Sequence, residues 1–280
     1  MIVNADDFGL TAGVNRAIIE LHRNGALTST TLMARAGATD DAIELARATP
    51  ALGVGCHVVL VDGEPVLPPD KIPTLVDRRT GCFQRSLSAF LLRLFTGRLR
   101  ASEIEAEAAA QIRSLQARGV VLTHIDTHKH THMFPPVLRP VLRAAGAAGI
   151  RAVRNPFEPA WAVRATAGAK WARAAEVSVL RKLHFACQRI IAEEGFITTD
   201  GTIAVVGTGI LNAATVRSLL GQLPEGTWEL VTHPGYNDSD LDKVRTRLRE
   251  SREVERGAIP TVKEFPALEL MSYANLRPSP

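Results

Sequence analysis

The sequence has few of the features that mark extracellular or membrane-spanning proteins. It contains three cysteines, Cys56, Cys82 and Cys187, whose scattered positions and odd number give no disulfide framework and no zinc-ribbon spacing. No run of about 18 apolar residues occurs, so no transmembrane helix is predicted. The N-terminal stretch MIVNADDFG has neither a basic segment nor a long apolar segment, so no signal peptide is predicted. A reducing cytoplasm is therefore the expected compartment.

The sequence also lacks a strong excess of charge of one sign. Its 280 residues include 33 Lys and Arg against 29 Asp and Glu, which gives a net charge of +4. This mild basicity fits an anionic partner or a membrane surface, but it is no footprint of nucleic-acid binding. Hydrophobic residues make up 46% of the chain, enough to bury a large core. No repeat, low-complexity tract or clean linker divides the chain, and we expect one domain over residues 1–280.

Segments with strand character alternate with segments of helical periodicity. The predicted strands are MIVNA, TSTTLMA, LGVGCHVVL, VVLTHID, IRAVRNP, GTIAVVG and WELVTHPG, with ALELMSY as an eighth candidate. The predicted helices are 11–23, DDAIELARA, 87–95, 102–118, 137–148, 165–194, 213–220 and 240–255. Such an α/β order indicates a parallel sheet, and seven or eight units predict a TIM-like (β/α) barrel that is closed wholly or nearly so. An open doubly wound sheet is the alternative.

Residues able to do chemistry lie at the carboxyl ends of four predicted strands. They are Asp6, Asp7, His57, Asp126, His128 and His233. In a parallel barrel these strand ends meet at one mouth, so residues distant in sequence would converge there. We therefore expect a functional site at this mouth.

The adjacent carboxylates Asp6 and Asp7 repel each other if both are bare. A divalent cation beside one would hold it ionised and leave the other to act on a water molecule. The alternative is that one of them caps the helix that begins near Thr11. His57, taken alone, reads as a core histidine, and Cys56 points to the opposite face of the same strand, so the two do not share a metal. Because other predicted strands also end in histidines, we favour the interpretation that Asp6 and Asp7 belong to a functional site.

The stretch LTHIDTHKHTHMFPP holds four of the eight histidines. His124, Asp126, His128, His130 and His132 are spaced by two, which places them on one side of a strand. The strand is predicted to end near His128, so two or three ligands would reach one ion, and a solvated polar loop is the alternative. Mixed carboxylate and imidazole donors suit zinc, iron, cobalt, nickel or manganese better than magnesium.

A site of this composition with water in its remaining positions is typical of a hydrolytic metal centre. His233 in VTHPGYND follows an apolar strand, where it would protonate a leaving group; an ordinary loop histidine is the alternative. Two other function classes stay open. A metal store or sensor would need no Asp-Asp pair, and a phosphoesterase would show ligands for a second metal.

Five stretches, IVNADDFGLTAGVNRAI, GALTSTTLMA, GVGCHVVLVDGEPVLPP, THIDTHKHTHMFP and THPGYND, together resemble the YdjC-like (ChbG/HpnK) carbohydrate deacetylases, in order and over essentially the whole chain. The resemblance implies a TIM-like barrel and a divalent-metal-dependent hydrolase that removes an N-acetyl group from an amino sugar. It implies one divalent ion, magnesium or zinc, held by Asp7, His57 and His128, with Asp6 as general base. His233 falls where related deacetylases place a general acid.

Three further stretches, LVDGEPVLPPDKIPTLVD, RAVRNPFEPAW and LPEGTWELVTHPGY, look more like the hopanoid-associated HpnK branch than the diacetylchitobiose branch. That resemblance implies an N-acetylglucosaminyl hopanoid as substrate. The family's DSHHH is DTHKH here, with Lys129 in place of a histidine, which would alter substrate contacts. We expect Asp126, Lys129, His130 and His132 to contact the substrate.

Two stretches, SLSAFLLRLFTGRLR and WARAAEVSVLRKLHFACQR, interleave apolar residues with arginines. Basic amphipathic helices of this kind suit a lipid-linked substrate or peripheral contact with the inner membrane. Core-facing helices with solvated arginines are the alternative. A homodimer is also left open.

Overall fold

Six parallel strands form one curled, half-barrel sheet in the order β4-β3-β2-β1-β6-β5. The computed structural model describes residues 1–168 and 170–277. The strands are β1 (Ile2–Phe8), β2 (Ser29–Leu32), β3 (Gly53–Val58), β4 (Leu122–Thr127), β5 (Gly201–Ile203) and β6 (Trp228–Thr232). The predicted parallel α/β class is confirmed, and the strand order is that of a curled sheet running from β4 round to β5 rather than of a doubly wound sheet.

The structure has six strands in its described residues instead of the seven or eight predicted. The predicted strand IRAVRNP contributes two isolated parallel bridges, Ala152 with Ile197 and Val153 with Ile125, and ALELMSY forms no strand. The segment ends at Pro156, which has no backbone N–H to donate to a neighbouring strand. Single bridges, rather than a full strand, therefore span the space between β4 and β5.

Ten α-helices follow or connect the strands in the described residues. They are α1 (Ala12–Arg23), α2 (Thr39–Arg47), α3 (Leu87–Phe95), α4 (Ala101–Ala117), α5 (Pro135–Ala147), α6 (Ala160–Ala165), α7 (Trp171–Leu180), α8 (His184–Glu193), α9 (Ala213–Leu220) and α10 (Glu250–Ala258). The predicted helix 165–194 is divided into α7 and α8, and the predicted helix 240–255 forms a regular α-helix only from Glu250.

The first helix shows how the chain turns away from the sheet without using the aspartates. Thr11 is the residue that caps α1, and its hydroxyl accepts the Val14 N–H at 3.2 Å. A threonine side chain in this position satisfies one of the free N–H groups of the first turn. Asp6 and Asp7 are therefore not helix caps.

Strands β1, β2, β3, β5 and β6 are buried along their whole length because both faces of the sheet are covered. All seven residues of β1 are buried, as expected for the centre of a parallel sheet. One hydrophobic cluster extends from Met1 to Val262 and joins strands and helices. Among the described residues, no helix is both long enough and apolar enough to cross a membrane.

Candidate active site

A cavity of about 630 Å³ opens at the carboxyl ends of the strands. Its walls also include residues of α7 and of the loop 244–248. Seven of the nine predicted site residues line it: Asp6, Asp7, His57, His128, Lys129, His130 and His233. The predicted convergence of four strand ends thus occurs in the structure.

Asp6 and Asp7 both reach the cavity because the backbone changes course at the end of β1. In a regular strand, neighbouring side chains point to opposite faces. Asp7 has a φ of 67°, in the left-handed region, and the register of β1 against β2 shifts between Ala5 and Phe8. A non-glycine residue in this conformation costs on the order of 1 to 3 kcal/mol, and such strain concentrates at functional sites. It turns both carboxylates toward one space.

Three side chains converge on a single point beside this turn. Asp7 Oδ1 lies 3.6 Å from His57 Nε2 and 3.4 Å from His128 Nδ1, and the two imidazole nitrogens are 3.2 Å apart. Asp7 Oδ1 is buried and accepts no hydrogen bond from a described residue. One carboxylate and two imidazoles with an unshared oxygen are donors that divalent metals take. The residues present therefore fit a divalent ion.

Asp126 holds His57 in the orientation that this point requires. Its Oδ1 lies 2.7 Å from His57 Nδ1, which leaves Nε2 directed at Asp7 and His128. Burial lowers the pKa of His57, but the carboxylates of Asp126, Asp6 and Asp7 together outweigh burial and the pKa rises to about 9. Asp126 was expected to contact substrate, yet it lies behind the imidazole and does not line the cavity.

Arg154 is a fully buried cation surrounded by carboxylates. Its Nη2 and Nη1 donate to the two oxygens of Asp6 at 2.6 and 2.9 Å, its Nε donates to Glu229 at 2.9 Å, and it also contacts Asp126. Burial raises the pKa of Asp6, but Arg154, His57 and His233 together outweigh burial and hold that pKa well below its usual range. Asp6 therefore remains ionised at neutral pH.

His233 lies on the other side of Asp6. Its Nε2 is 3.8 Å from Asp6 Oδ2, and its Nδ1 is 3.8 Å from Glu255 Oε2, which also accepts the backbone N–H of His233 at 2.6 Å. Burial lowers the pKa of His233, but Glu255 and the nearby aspartates raise it above its ordinary value. The imidazole is thereby favoured in its protonated form.

The histidine run does not continue as a strand past Thr127, where β4 ends. Lys129 and His130 have φ values of 56° and 52°, both in the left-handed region. This turn ends the predicted alternation and lets Lys129 and His130, together with His128, line the cavity. Lys129 Nζ donates to Asp62 at 2.6 Å, so the lysine is held at the cavity wall by an ion pair.

Two histidines of the run lie outside the cavity. His132 was expected to contact substrate, but it is buried and its ring bonds to the Thr127 hydroxyl at 2.7 Å and to the Arg154 carbonyl at 3.3 Å. His124 stacks on Tyr273 with ring centroids 3.9 Å apart. Burial lowers the pKa of His124 to about 3, which marks a neutral core histidine.

Sequence reasoning missed three charged residues of the site. Arg154 lies in a segment that reads as an ordinary strand, and Arg252 and Glu255 lie in a helix that reads as charged and solvated. Arg252 Nη2 donates to Asp7 Oδ2 at 2.5 Å, although 245 residues separate them. Arg154 could have been noticed from the sequence, because it is a charged residue within a predicted strand. Arg252 and Glu255 could not, because most of their neighbours in α10 are charged as well.

Comparison with known proteins supports one family. The chain matches the YdjC-like protein family over residues 1–268. A carbohydrate deacetylase from Thermoanaerobacter pseudethanolicus is 30% identical over 256 residues, 91% of this chain and 88% of that protein. A chitooligosaccharide deacetylase from Salmonella typhimurium is 42% identical over 151 residues, which is 54% of this chain and 57% of that protein.

Solved structures share the fold. A crystal structure from Enterococcus faecalis, described as a putative cellobiose-phosphate cleavage protein, is 26% identical with a TM-score of 0.75 and covers 97% of this chain and 96% of that one. A lactam utilization protein from Thermus thermophilus is 16% identical with a TM-score of 0.52, covers 98% of this chain and 100% of that one, and shows the fold alone. The family match over residues 1–268 agrees with the site geometry, and the chain belongs to the YdjC-like family.

Proposed function

We propose that this protein is a metal-dependent hydrolase that removes the N-acetyl group from an amino sugar. The observation that carries the proposal is one cavity in which the donor atoms of Asp7, His57 and His128 face each other while Asp6 and His233 lie beside them. Relatives named carbohydrate and chitooligosaccharide deacetylase support the substrate class. We assign residues 1–280 to one deacetylase domain, since the cavity takes residues from Asp6 to Arg252.

Asp7, His57 and His128 would hold the ion, which when bound supplies Lewis-acid polarisation of the amide carbonyl and of water. Asp6, which Arg154 keeps ionised, accepts the proton of the attacking water.

His233 supplies the second proton transfer. Its side chain, which Glu255 favours in the protonated form, donates a proton to the amide nitrogen as the C–N bond breaks. The amine is a poor leaving group without that proton. Base and acid are separated by 3.8 Å, so both reach one small acyl group.

Two observations bear on the alternative of a two-metal phosphoesterase. A second group of donors, formed by Asp6, His57 and Asp126, lies within ligand distance. The guanidinium of Arg154 already contacts both aspartates of this group, so a cation is in place there. One divalent ion, not two, is therefore our proposal, with zinc favoured over magnesium by the two imidazole donors.

The cavity also bears on the kind of amino sugar. Its walls carry large apolar side chains, among them Leu10, Met33, Leu87, Phe157 and Leu180. We propose that the sugar carries a lipid, as an N-acetylglucosaminyl hopanoid does in the HpnK branch. Water-soluble chito-oligosaccharides are the second candidate, supported by the name of the Salmonella relative. A cytoplasmic location and a homodimer stay predictions.

The test is acetate release from chito-oligosaccharides and from an N-acetylglucosaminyl lipid. Protein treated with chelator should be inactive, and zinc or magnesium added singly should show which ion restores turnover. Asp6→Asn should lower kcat by on the order of 10² to 10⁴ while keeping one ion per chain, because Asp6 is a base and not a ligand. The exposed Asp70→Asn is the matched control and should keep full activity. Release that survives chelation, or that Asp6→Asn leaves unchanged, would overturn the proposal.

A further inference from the structure

Large apolar side chains are exposed mainly on two elements that border the cavity. Eight such side chains are exposed in the described part of the chain, and five of them belong to α3 and to the α7–α8 segment. These five are Leu92, Phe95, Trp171, Val179 and Phe185, with exposed fractions from 61% to 85%. We call the surface that they form, together with the cations of residues 87–100 and 160–192, the basic apolar face.

Both parts of the basic apolar face adjoin the cavity mouth. Leu87 at the start of α3 and Leu180 at the end of α7 line the cavity. Phe95 packs edge-on against Phe134 with centroids 5.6 Å apart, and the neighbouring Met133 accepts a hydrogen bond from Cys187 of α8. The two elements are thus linked through residues 133–134, beside the opening of the cavity.

These two elements do not face the core as amphipathic helices usually do. The ten residues of α7 are all described, and of these Val177 is buried. Residues Phe90 and Leu94 are the buried part of α3. An ordinary surface helix hides a wide apolar stripe and exposes polar residues. Here the exposed sides carry the large apolar side chains Trp171 and Phe95. The alternative that these helices bury their apolar residues in the core and expose only their arginines therefore explains few of the apolar side chains.

The charge of the protein is concentrated on the same face. Segments 87–100 and 160–192 hold nine Lys and Arg and one carboxylate, Glu176. The rest of the chain holds 24 Lys and Arg against 28 Asp and Glu, an excess of four negative charges. The positive net charge of the protein therefore comes from these two segments, although Arg100 and Arg189 lie near Glu103 and Glu193 just outside them. A second copy of the chain docking the same face would be repelled by the remaining seven cations.

We propose that the basic apolar face binds the surface of an anionic lipid bilayer, with the cavity mouth toward the lipid. Segments that lie in a membrane interface combine exposed Trp and Phe side chains with Lys and Arg, as this face does. Each cation near an anionic leaflet contributes about 1 kcal/mol, so each strengthens binding roughly five-fold. The proposal of bilayer binding does not depend on the proposal of deacetylase activity, so each can be refuted while the other stands.

The test uses the full-length protein with vesicles of phosphatidylcholine, with and without phosphatidylglycerol. We expect sedimentation with the anionic vesicles and a decline as salt is raised. Trp171, 85% exposed, should shift its fluorescence to shorter wavelength on binding, and Trp171→Phe should remove most of that shift. Arg181→Glu with Lys182→Glu should weaken binding by at least about 25-fold. Phe185→Ser should weaken it by about ten-fold.

The controls distinguish binding through the basic apolar face from a nonspecific effect of charge and from a loss of the folded state. Arg113→Glu with Val121→Ser alters an exposed cation and an 82% exposed apolar residue elsewhere, and should bind vesicles as the parent does. All variants should release acetate from a water-soluble substrate at the parent rate if the deacetylase proposal holds. Equal weakening by both charge variants, or no salt-sensitive binding to anionic vesicles, overturns the membrane proposal. A dimer that Phe185→Ser dissociates, without vesicle binding, would show a protein interface instead.

Discussion

Replacing Arg154 by methionine tests how much of the stability depends on the buried charge cluster. Arg154 and its partner Glu229 are 0% exposed and Asp6 is 2% exposed. Removing one partner of a buried ion pair typically costs about 3 to 5 kcal/mol, because the remaining charge is left uncompensated. Methionine fills most of the space of the arginine stem, so the cavity contribution is small. We expect Arg154→Met to lower the free energy of unfolding by about 3 to 5 kcal/mol at pH 7.

The loss should depend on pH with a definite sign. In the parent, burial raises the pKa values of Asp6 and Asp126, but Arg154, the first of the opposing groups, together with His57 lowers both. This contribution is present above the ordinary carboxyl pKa of about 4 and is lost as pH falls through the lowered values. In Arg154→Met, burial is less opposed, the carboxyls take up protons readily, and the variant gains stability as pH falls. The difference between parent and variant should therefore shrink from pH 7 to pH 5.

Urea unfolding followed by circular dichroism, with chelator present, measures both effects. The matched control is Arg217→Met, because Arg217 makes a similar two-bond pair with Glu264 at 2.7 and 2.8 Å while both side chains are about half exposed. Exposed pairs contribute little, so the control midpoint should stay near that of the parent. If Arg154→Met resembled this control, or if its deficit did not shrink at pH 5, the reasoning about buried charge would be refuted.

Two further predictions concern stability. Burial raises the pKa of Glu158, which accepts two backbone N–H groups, to about 7. Between about pH 5 and 7 the native state therefore holds a proton on Glu158 that the unfolded state has released. From pH 5 to pH 8 the free energy of unfolding of the parent should fall by roughly 2 to 3 kcal/mol more than that of Glu158→Gln, as measured by urea unfolding. Gly55→Ala would place a methyl 2.6 Å from the His124 ring and should cost about 1 to 3 kcal/mol, whereas Gly257→Ala, with open space in α10, should raise the melting temperature.

The parallel fold and the meeting of four strand ends could be predicted, because β-then-α alternation dictates both. The number of strands could not. IRAVRNP carries the apolar residues Ile150 and Val153 at the place in the β-then-α order where a strand is expected, but pairing depends on which backbone groups find partners across the sheet. Here the backbone groups of residues 151–154 bond alternately to Ile197 and Ile125, which gives two single bridges and no assigned strand. The composition of a segment does not predict which distant backbone groups it will bond to.

The histidine run shows a second limit. Spacing by two predicts a shared face only while the chain remains a strand. Two successive residues, Lys129 and His130, adopt the left-handed conformation that non-glycine residues rarely take. Nothing in their identity foretells this. His128 nevertheless reaches the predicted point because it directly follows the last strand residue, whereas His132 turns back into the core.

The Asp-Asp pair gains its chemistry from cations that sequence reasoning did not consider. From the sequence, a divalent cation beside one of two adjacent carboxylates is expected to hold that carboxylate ionised. In the structure each has its own guanidinium: Arg154 bonds both oxygens of Asp6, and Arg252 bonds one oxygen of Asp7. Both carboxylates are therefore ionised before any ion arrives. Asp6 is held by a two-bond pair, which suits its proposed role as base, while the unshared Oδ1 of Asp7 faces the histidines, which suits its proposed role as metal ligand. The two arginines, which come from different parts of the fold, thus give different surroundings to two residues that are chemically identical and adjacent in the sequence, and our proposal of separate roles rests on that difference.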